Sequence, residues 1–358
     1  MSPNRLPLIA LVALCSLDPA ARAADAAAPA TRPAWVNISD PVVADLVAQG
    51  KKLGYPGQSA GVIVDIGNGG AVYLVIAGQG LWRSTDQGAT FALAADPKVV
   101  GGRCETSYSI DLDASGPGRF ACFMLDGKCA STLDAGKTWR PMADVGRNWD
   151  YAAVDWADPD AKTIFALRHE AGGEIYLSRD AGRKWEMIGK DAKFAAVGLA
   201  DAQTLLTTKG DGILRSTDAG KTWNRVSDLT PVGRVARPYN GALWWLAKEG
   251  LIVSRDKGLT WAKVGVPVNA SIGPWFASDR HIVVAGKAGF FETTDAGQTW
   301  ALVTAPPVGY TVPMPGWFAN LTWDPATDVF YASQMGKPAW KYRRGAPAAA
   351  ATRPATGG

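Results

Sequence analysis

Ser216-Thr217-Asp218-Ala219-Gly220-Lys221-Thr222-Trp223 is the stretch on which the fold turns, because near-copies of it recur through the chain. They occupy residues 84–91, 132–139, 178–185, 254–261 and 293–300, with Phe91 replacing the final Trp in the first copy and Lys184 replacing Thr in the third. The shared form is Ser/Thr-x-Asp-x-Gly-x-Thr-Trp. It reads as a hairpin turn: the Asp and Ser/Thr side chains bond turn amides and Gly supplies the positive φ of the reversal. Trp then opens the next strand with a large apolar surface. A catalytic site would not be built six times with interchangeable neighbours, so Asp86, Asp134, Asp180, Asp218, Asp256 and Asp295 are read as structural.

Spacing converts the turns into an architecture. The six aspartates recur every 38 to 48 residues, close to the length of a four-stranded propeller blade. Between Asp180 and Asp218 the pattern predicts an outer strand at 184–188, an inner strand at 194–199, a second at 204–208 and a third at 213–216. After the last copy, 319–323, 329–333 and 339–343 give three strands with no turn of this kind following. Near the start, Trp35-Val36-Asn37-Ile38-Ser39 matches outer strands such as Trp223-Asn224-Arg225-Val226-Ser227. The expectation is all-β: a single seven-bladed β-propeller over residues 34–343, six blades carrying the turn, the ring closed by the N-terminal strand.

These repeats resemble the Asp-box, or BNR, repeat of the superfamily that includes sialidases, xyloglucanases, sortilin-type receptors and photosystem assembly-factor propellers. The resemblance implies a box between the third and fourth strands of each blade and a ligand on the opposite face. It says little about activity, because the same box serves hydrolases, receptors and assembly factors. The chain has no Phe/Tyr-Arg-Ile-Pro segment and no placeable arginine triad, so the likeness does not extend to sialidase chemistry. Asp155-Trp156-Ala157-Asp158-Pro159-Asp160 and Trp323-Asp324-Pro325 are similar to runs in xyloglucanases, which are two-propeller proteins. The assembly-factor propellers agree in length and blade number, but their Gly-Trp-x-Val-Gly strand motif is absent here.

The flanks carry no core. Residues 1–23 combine Arg5, an apolar run from Leu6 to Leu17 and Ala21-Arg22-Ala23, the pattern of a secretory signal peptide, so the product is expected to be periplasmic or secreted. Residues 24–33 and 344–358 are rich in Ala, Pro, Thr and Gly and read as disordered linker and tail. No later stretch is apolar enough to span a membrane. An oxidising compartment would let two of Cys104, Cys122 and Cys129 pair, and the sequence does not say which. Only His169 and His281 are available and no Cys-x-x-Cys occurs, so no metal or other cofactor is expected. The formal charge of +4, about +3 without the leader, has no like-charged run, which argues against a nucleic-acid partner. A monomer is expected.

The residues expected to carry function lie on loops opposite the boxes. Arg103 and Glu105 enter the second blade, Arg147-Asn148-Trp149-Asp150-Tyr151 enters the third, Arg168-His169-Glu170 joins strands of the third, and Trp317 approaches the last. Carboxylates suit acid–base work and flat rings stack on pyranose faces, so Glu105, Asp150 and Glu170 are the candidate catalytic groups. The others are candidate ligand contacts. Three readings follow. The first is a propeller that binds, and in one form cleaves, a glycan or polysaccharide. The second is a scaffold or assembly factor that grips a protein partner. The weakest is a lyase using Arg147, Tyr151 and His169.

Overall fold

The computed structural model describes residues 34–104, 106–146, 148–310 and 319–345. The expected leader, the linker at 24–33 and the tail beyond 345 lie outside them, as do Glu105, Arg147 and Trp317. Seven antiparallel four-stranded sheets form the blades of a propeller. In the fourth blade the strands are Phe194–Leu199, Leu205–Lys209, Ile213–Ser216 and Asn224–Ser227, with the inner and third strands as the alternation predicts.

The seventh blade joins the two ends of the described chain. Its strands Ala319–Asp324, Val329–Gln334 and Trp340–Arg343 are completed by Val36–Asn37, with Val36 opposite Lys341 and Asn37 opposite Trp340. Trp35 secures the seam: its indole N–H donates to the Ala305 carbonyl at 2.8 Å, and its ring lies 5.5 Å from Tyr342 and 6.2 Å from Phe290. Beyond the seam the chain forms the helix Asp40–Ala48, which the strand reading of 35–39 did not anticipate. Pro41 suits its first turn, Val42 and Leu46 bury one face at i, i+4 spacing, and Gly50 follows its end at φ 73°. Asn37 Oδ1 accepts the N–H groups of Ser39 and Asp40, both at 3.0 Å, and so organises the approach.

All six boxes have one geometry. The Ser or Thr hydroxyl donates to Asp Oδ1 at 2.6–3.0 Å. It accepts the Gly N–H at 2.7–2.9 Å. Asp Oδ1 then takes the N–H four residues on, at 2.8–2.9 Å. The box glycines have φ of 79–86°, and the residue before each, Gln87, Ala135, Ala181, Ala219, Lys257 or Ala296, is also left-handed at 58–62°. The sequence reading assigned positive φ to Gly alone. The bond lattice around the aspartate holds a side-chain-bearing residue where L-residues are disfavoured.

The boxes also fix which face is which. Ala135, Ala181, Ala219 and Ala296 donate their N–H groups to Gly118, Lys162, Gln203 and Arg280, carbonyls in the first hairpin of their own blades. Boxes and first hairpins therefore share a face, and the inner strands run toward it. Hydrogen bonds at this face stitch neighbouring blades together, among them Arg119 to the Asp158 carbonyl at 2.9 Å and Lys257 to Asp201 at 2.8 Å. Cys104, Cys122 and Cys129 are all buried, and Cys122 and Cys129 are free thiols. No described helix is long and apolar enough to cross a membrane.

Candidate functional site

At the face opposite the boxes the structure joins three of the sequence candidates. The inner strand Trp149–Val154 carries Asp150 beside the hairpin that follows Ile164–Arg168, and Asp150 Oδ1 meets His169 Nδ1 at 2.7 Å. His169 Nε2 is 3.9 Å from Glu170, an exposed carboxylate held at φ 48° on the hairpin tip. His169 is anchored by its own N–H on the Asn148 carbonyl at 2.8 Å. Arg168 turns away to Glu174 at 2.9 Å, and Arg103 bonds Asp126 at 3.1 Å while lying over the Tyr55 ring at 5.2 Å.

The expected stacking platform is not there. The strand begins at Trp149, not Tyr151, and Trp149 is fully buried, its ring 4.2 Å from Trp185 and 5.5 Å from Tyr176. Blade strands alternate their side chains between the two neighbouring blades, so this indole fills an interblade core. Tyr151 is buried on the other side, its hydroxyl donating to the Ala195 carbonyl at 2.8 Å, and burial pushes its phenol pKa far up. Asn148 is buried as well, bonded to the Gly127 carbonyl at 2.8 Å.

The channel is also crossed at this end. A strap at 106–109 ties into three other blades. Ser107 Oγ donates to the Ala319 carbonyl at 2.6 Å, Asn320 Nδ2 donates to the Thr106 carbonyl at 2.9 Å, and Thr106 Oγ1 donates to the Asp150 carbonyl. The Tyr108 hydroxyl reaches Gly273 on the sixth blade. All four strap residues are buried.

Beyond the strap the channel widens toward the boxes into a funnel. A cavity of about 100 Å³ lies over Tyr108, between Ile110, Ile272 and Trp275. It shares the wall Leu112, Ala114 and Arg237–Tyr239 with a larger cavity of about 610 Å³ that spreads under the first hairpins of the second to fifth blades. Ser254 and Lys257 of the fifth box line the larger cavity, which places it on the box-bearing face. Across the floor Arg237 of the fifth blade pairs with Asp111 of the second, donates to the Leu112 carbonyl at 3.3 Å and lies 5.6 Å from the Tyr108 ring. Asp111 is held further by the N–H groups of Val154 at 3.1 Å and the Trp156 indole at 3.0 Å.

The funnel wall is aromatic. Tyr239 and Phe276 stack in parallel, 4.0 Å between centroids and 6° between planes, with Trp275 beside them. Asp155 is the carboxylate of the wall that carries no ion pair among the described residues, whereas Asp113 pairs with Arg119. Burial is the main cause that raises the Asp155 pKa; nearby Asp158 and Asp201 add to it, against backbone hydrogen bonds from Ala157 and Asp158. Sequence reasoning missed these residues because the superfamily resemblance directed attention to the other face. Arg237-Pro238-Tyr239-Asn240-Gly241, an inner-strand end running into a tight turn, was the signal available.

No protein-family model and no curated protein matches the chain. Among solved structures it is similar to the extracellular domain of BT4673 from B. thetaiotaomicron, with 9% identity and a TM-score of 0.53 over 86% of this chain and 40% of that one. The extracellular domain of BT3049 from the same organism gives 11% identity and 0.50 over 81% and 40%. YCF48 bound to D1 peptide gives 15% identity and 0.49 over 87% and 99%. At such identities the first two similarities speak to the fold alone.

Proposed function

We propose that the chain is an exported propeller of the Asp-box superfamily, residues 34–343 behind a leader at 1–23, that binds a saccharide in the funnel on its box-bearing face. The parallel Tyr239–Phe276 stack at the channel cavity carries this reading. Phe276 backs one face of Tyr239 and holds the ring flat, and Tyr239, which lines both cavities, is the surface that the C–H face of a pyranose would cover. The larger cavity, about 610 Å³, falls within the range of small-ligand sites, roughly 300–1,000 Å³. The reading is binding and not cleavage: hydrolysis uses two carboxylates flanking one bond, and in the funnel Asp113 is occupied by Arg119. Asp150 and Glu170 remain candidates for a separate acid–base role at the opposite end, beside the His169 contact, and the candidate Glu105 lies outside the described residues.

A glycan-array screen of the purified protein followed by calorimetry tests the reading. The wild type binds a subset of saccharides, and Tyr239→Ala and Phe276→Ala, folded by circular dichroism, each weaken that binding at least about tenfold. Wild-type failure across a broad panel, or full affinity in both variants, overturns it. Capture of an unglycosylated peptide in place of any saccharide would favour the scaffold reading.

A further inference from the structure

Resting on the saccharide reading, we infer that the ligand carries a protonated primary amine and that Asp155 receives it. The other carboxylate that lines the larger cavity, Asp113, is taken up by Arg119; Asp111 on the floor pairs with Arg237, Asp201 with Lys257 at 2.8 Å and Asp160 with Lys162 at 2.5 Å. Asp155 lines the 610 Å³ cavity and has no ion pair among the described residues. A part-buried carboxylate facing a cavity without a cation is an unfilled electrostatic position, since its desolvation is not offset within the protein.

The surroundings select the charge of the guest. The negative charges of Asp158 and Asp201 lie close enough to raise the Asp155 pKa, and the same potential attracts a cation and disfavours an anion. The cations lining the cavity, Arg237 and Lys257, already have carboxylate partners, so a uronic acid or sialic acid would meet no uncommitted positive charge among them. Tyr239 lines the same cavity, and an aromatic ring attracts an ammonium group placed over its face. An amino sugar with a free amine suits both residues of the larger cavity: its ring covers Tyr239 and its ammonium meets Asp155.

Three tetramers separate the possibilities by calorimetry at low salt and pH 6.5: β-1,4-glucosamine, its N-acetylated counterpart and cellotetraose. The wild type binds the glucosamine tetramer at least about tenfold more tightly than the other two, and the preference shrinks as sodium chloride is added. Asp155→Asn, which keeps the side-chain shape, removes the preference. Equal wild-type affinity for the free and acetylated amine, or a preference that survives Asp155→Asn, overturns the inference. Tyr239→Ala separates it from the saccharide reading: unchanged affinity for all three tetramers in that variant removes the site itself.

Discussion

The Tyr108 hydroxyl and the backbone of Gly273 bond to each other twice across the channel: the oxygen accepts the Gly273 N–H at 2.6 Å and the O–H donates to the Gly273 carbonyl. The pairing joins the second blade to the sixth through a buried side chain. Burial also pushes the Tyr108 phenol up to about 12, so the group stays a donor throughout the neutral range. Tyr108 itself has φ 68°, a conformation that bulky residues avoid, which the surrounding bonds maintain.

Tyr108→Phe keeps the ring and leaves the buried Gly273 amide and carbonyl without this partner. The variant is expected to lose about 1–3 kcal/mol of stability. Urea unfolding measures it; a midpoint equal to wild type would show that the tie is dispensable.

Closure at the seam predicts an asymmetry between the ends. Deleting residues 34–39 removes the paired strand and the Trp35 contacts, whereas deleting 346–358 removes none of the described contacts. Thermal melting should fall steeply for the first deletion and stay within a degree or two for the second. Trp35→Ala alone should cost about 2 kcal/mol through lost apolar burial.

The boxes predict acid sensitivity. The Thr138 hydroxyl holds Asp134 down to about 2, the Thr222 N–H does so for Asp218, the Thr260 hydroxyl for Asp256 and the Thr293 hydroxyl for Asp295. A carboxyl whose folded pKa is depressed stabilises fully above its ordinary value, 3.8, and loses that contribution as pH falls through the folded value. Melting temperature should therefore hold from pH 7 to about 4.5 and drop between about 4 and 2. Asp218→Asn should melt lower at neutral pH and show a shallower acid decline, while ligand binding below its melting point persists.

A methyl group is disfavoured at both left-handed positions of a box, and more strongly at the glycine. Gly220→Ala places a Cβ 2.5 Å from Ile188 of the preceding blade at φ 86°, and is expected to cost more than about 1 kcal/mol. Ala219→Gly relieves a side chain at φ 62° and should leave stability unchanged or raise it by under about 1 kcal/mol. Chemical denaturation of the pair decides; equal losses would contradict this account.

Trp149→Ala should destabilise by about 3–5 kcal/mol, because the indole fills an interblade core. The milder Trp149→Phe, folded at assay temperature, should bind saccharide as the wild type does. Lost affinity in that variant would return Trp149 to the site.

The blade count and the seam could be read from sequence because each rests on local patterning: the box spacing, and the likeness of Trp35-Val36-Asn37 to other outer strands. The helix Asp40–Ala48 escaped because its start signal, Asp40-Pro41, adjoins a strand match of only a few residues. The Asp150–His169 contact was half legible, since two loops of one blade were expected on one face. Burial of Trp149 was not, because an inner-strand residue faces a core or a rim according to a register that a bulge between Trp149 and Tyr151 shifts. The funnel stayed hidden for a different reason. Arg237 with Asp111, and Tyr239 with Phe276, become neighbours only when the ring closes.

The pairing of Val36 with Lys341 sets an order of events during synthesis. A chain that grows from its N-terminus exposes Trp35-Val36-Asn37 long before its partner strand exists. At 5–20 residues per second the delay is roughly 15 to 60 seconds. Six blades can assemble in that interval, but each leaves an open flank until the last arrives. The unclosed protein should therefore bind holding chaperones through its first strand, and pairing of that strand with the last one, not collapse of any one blade, should be the step that makes it resistant to proteolysis.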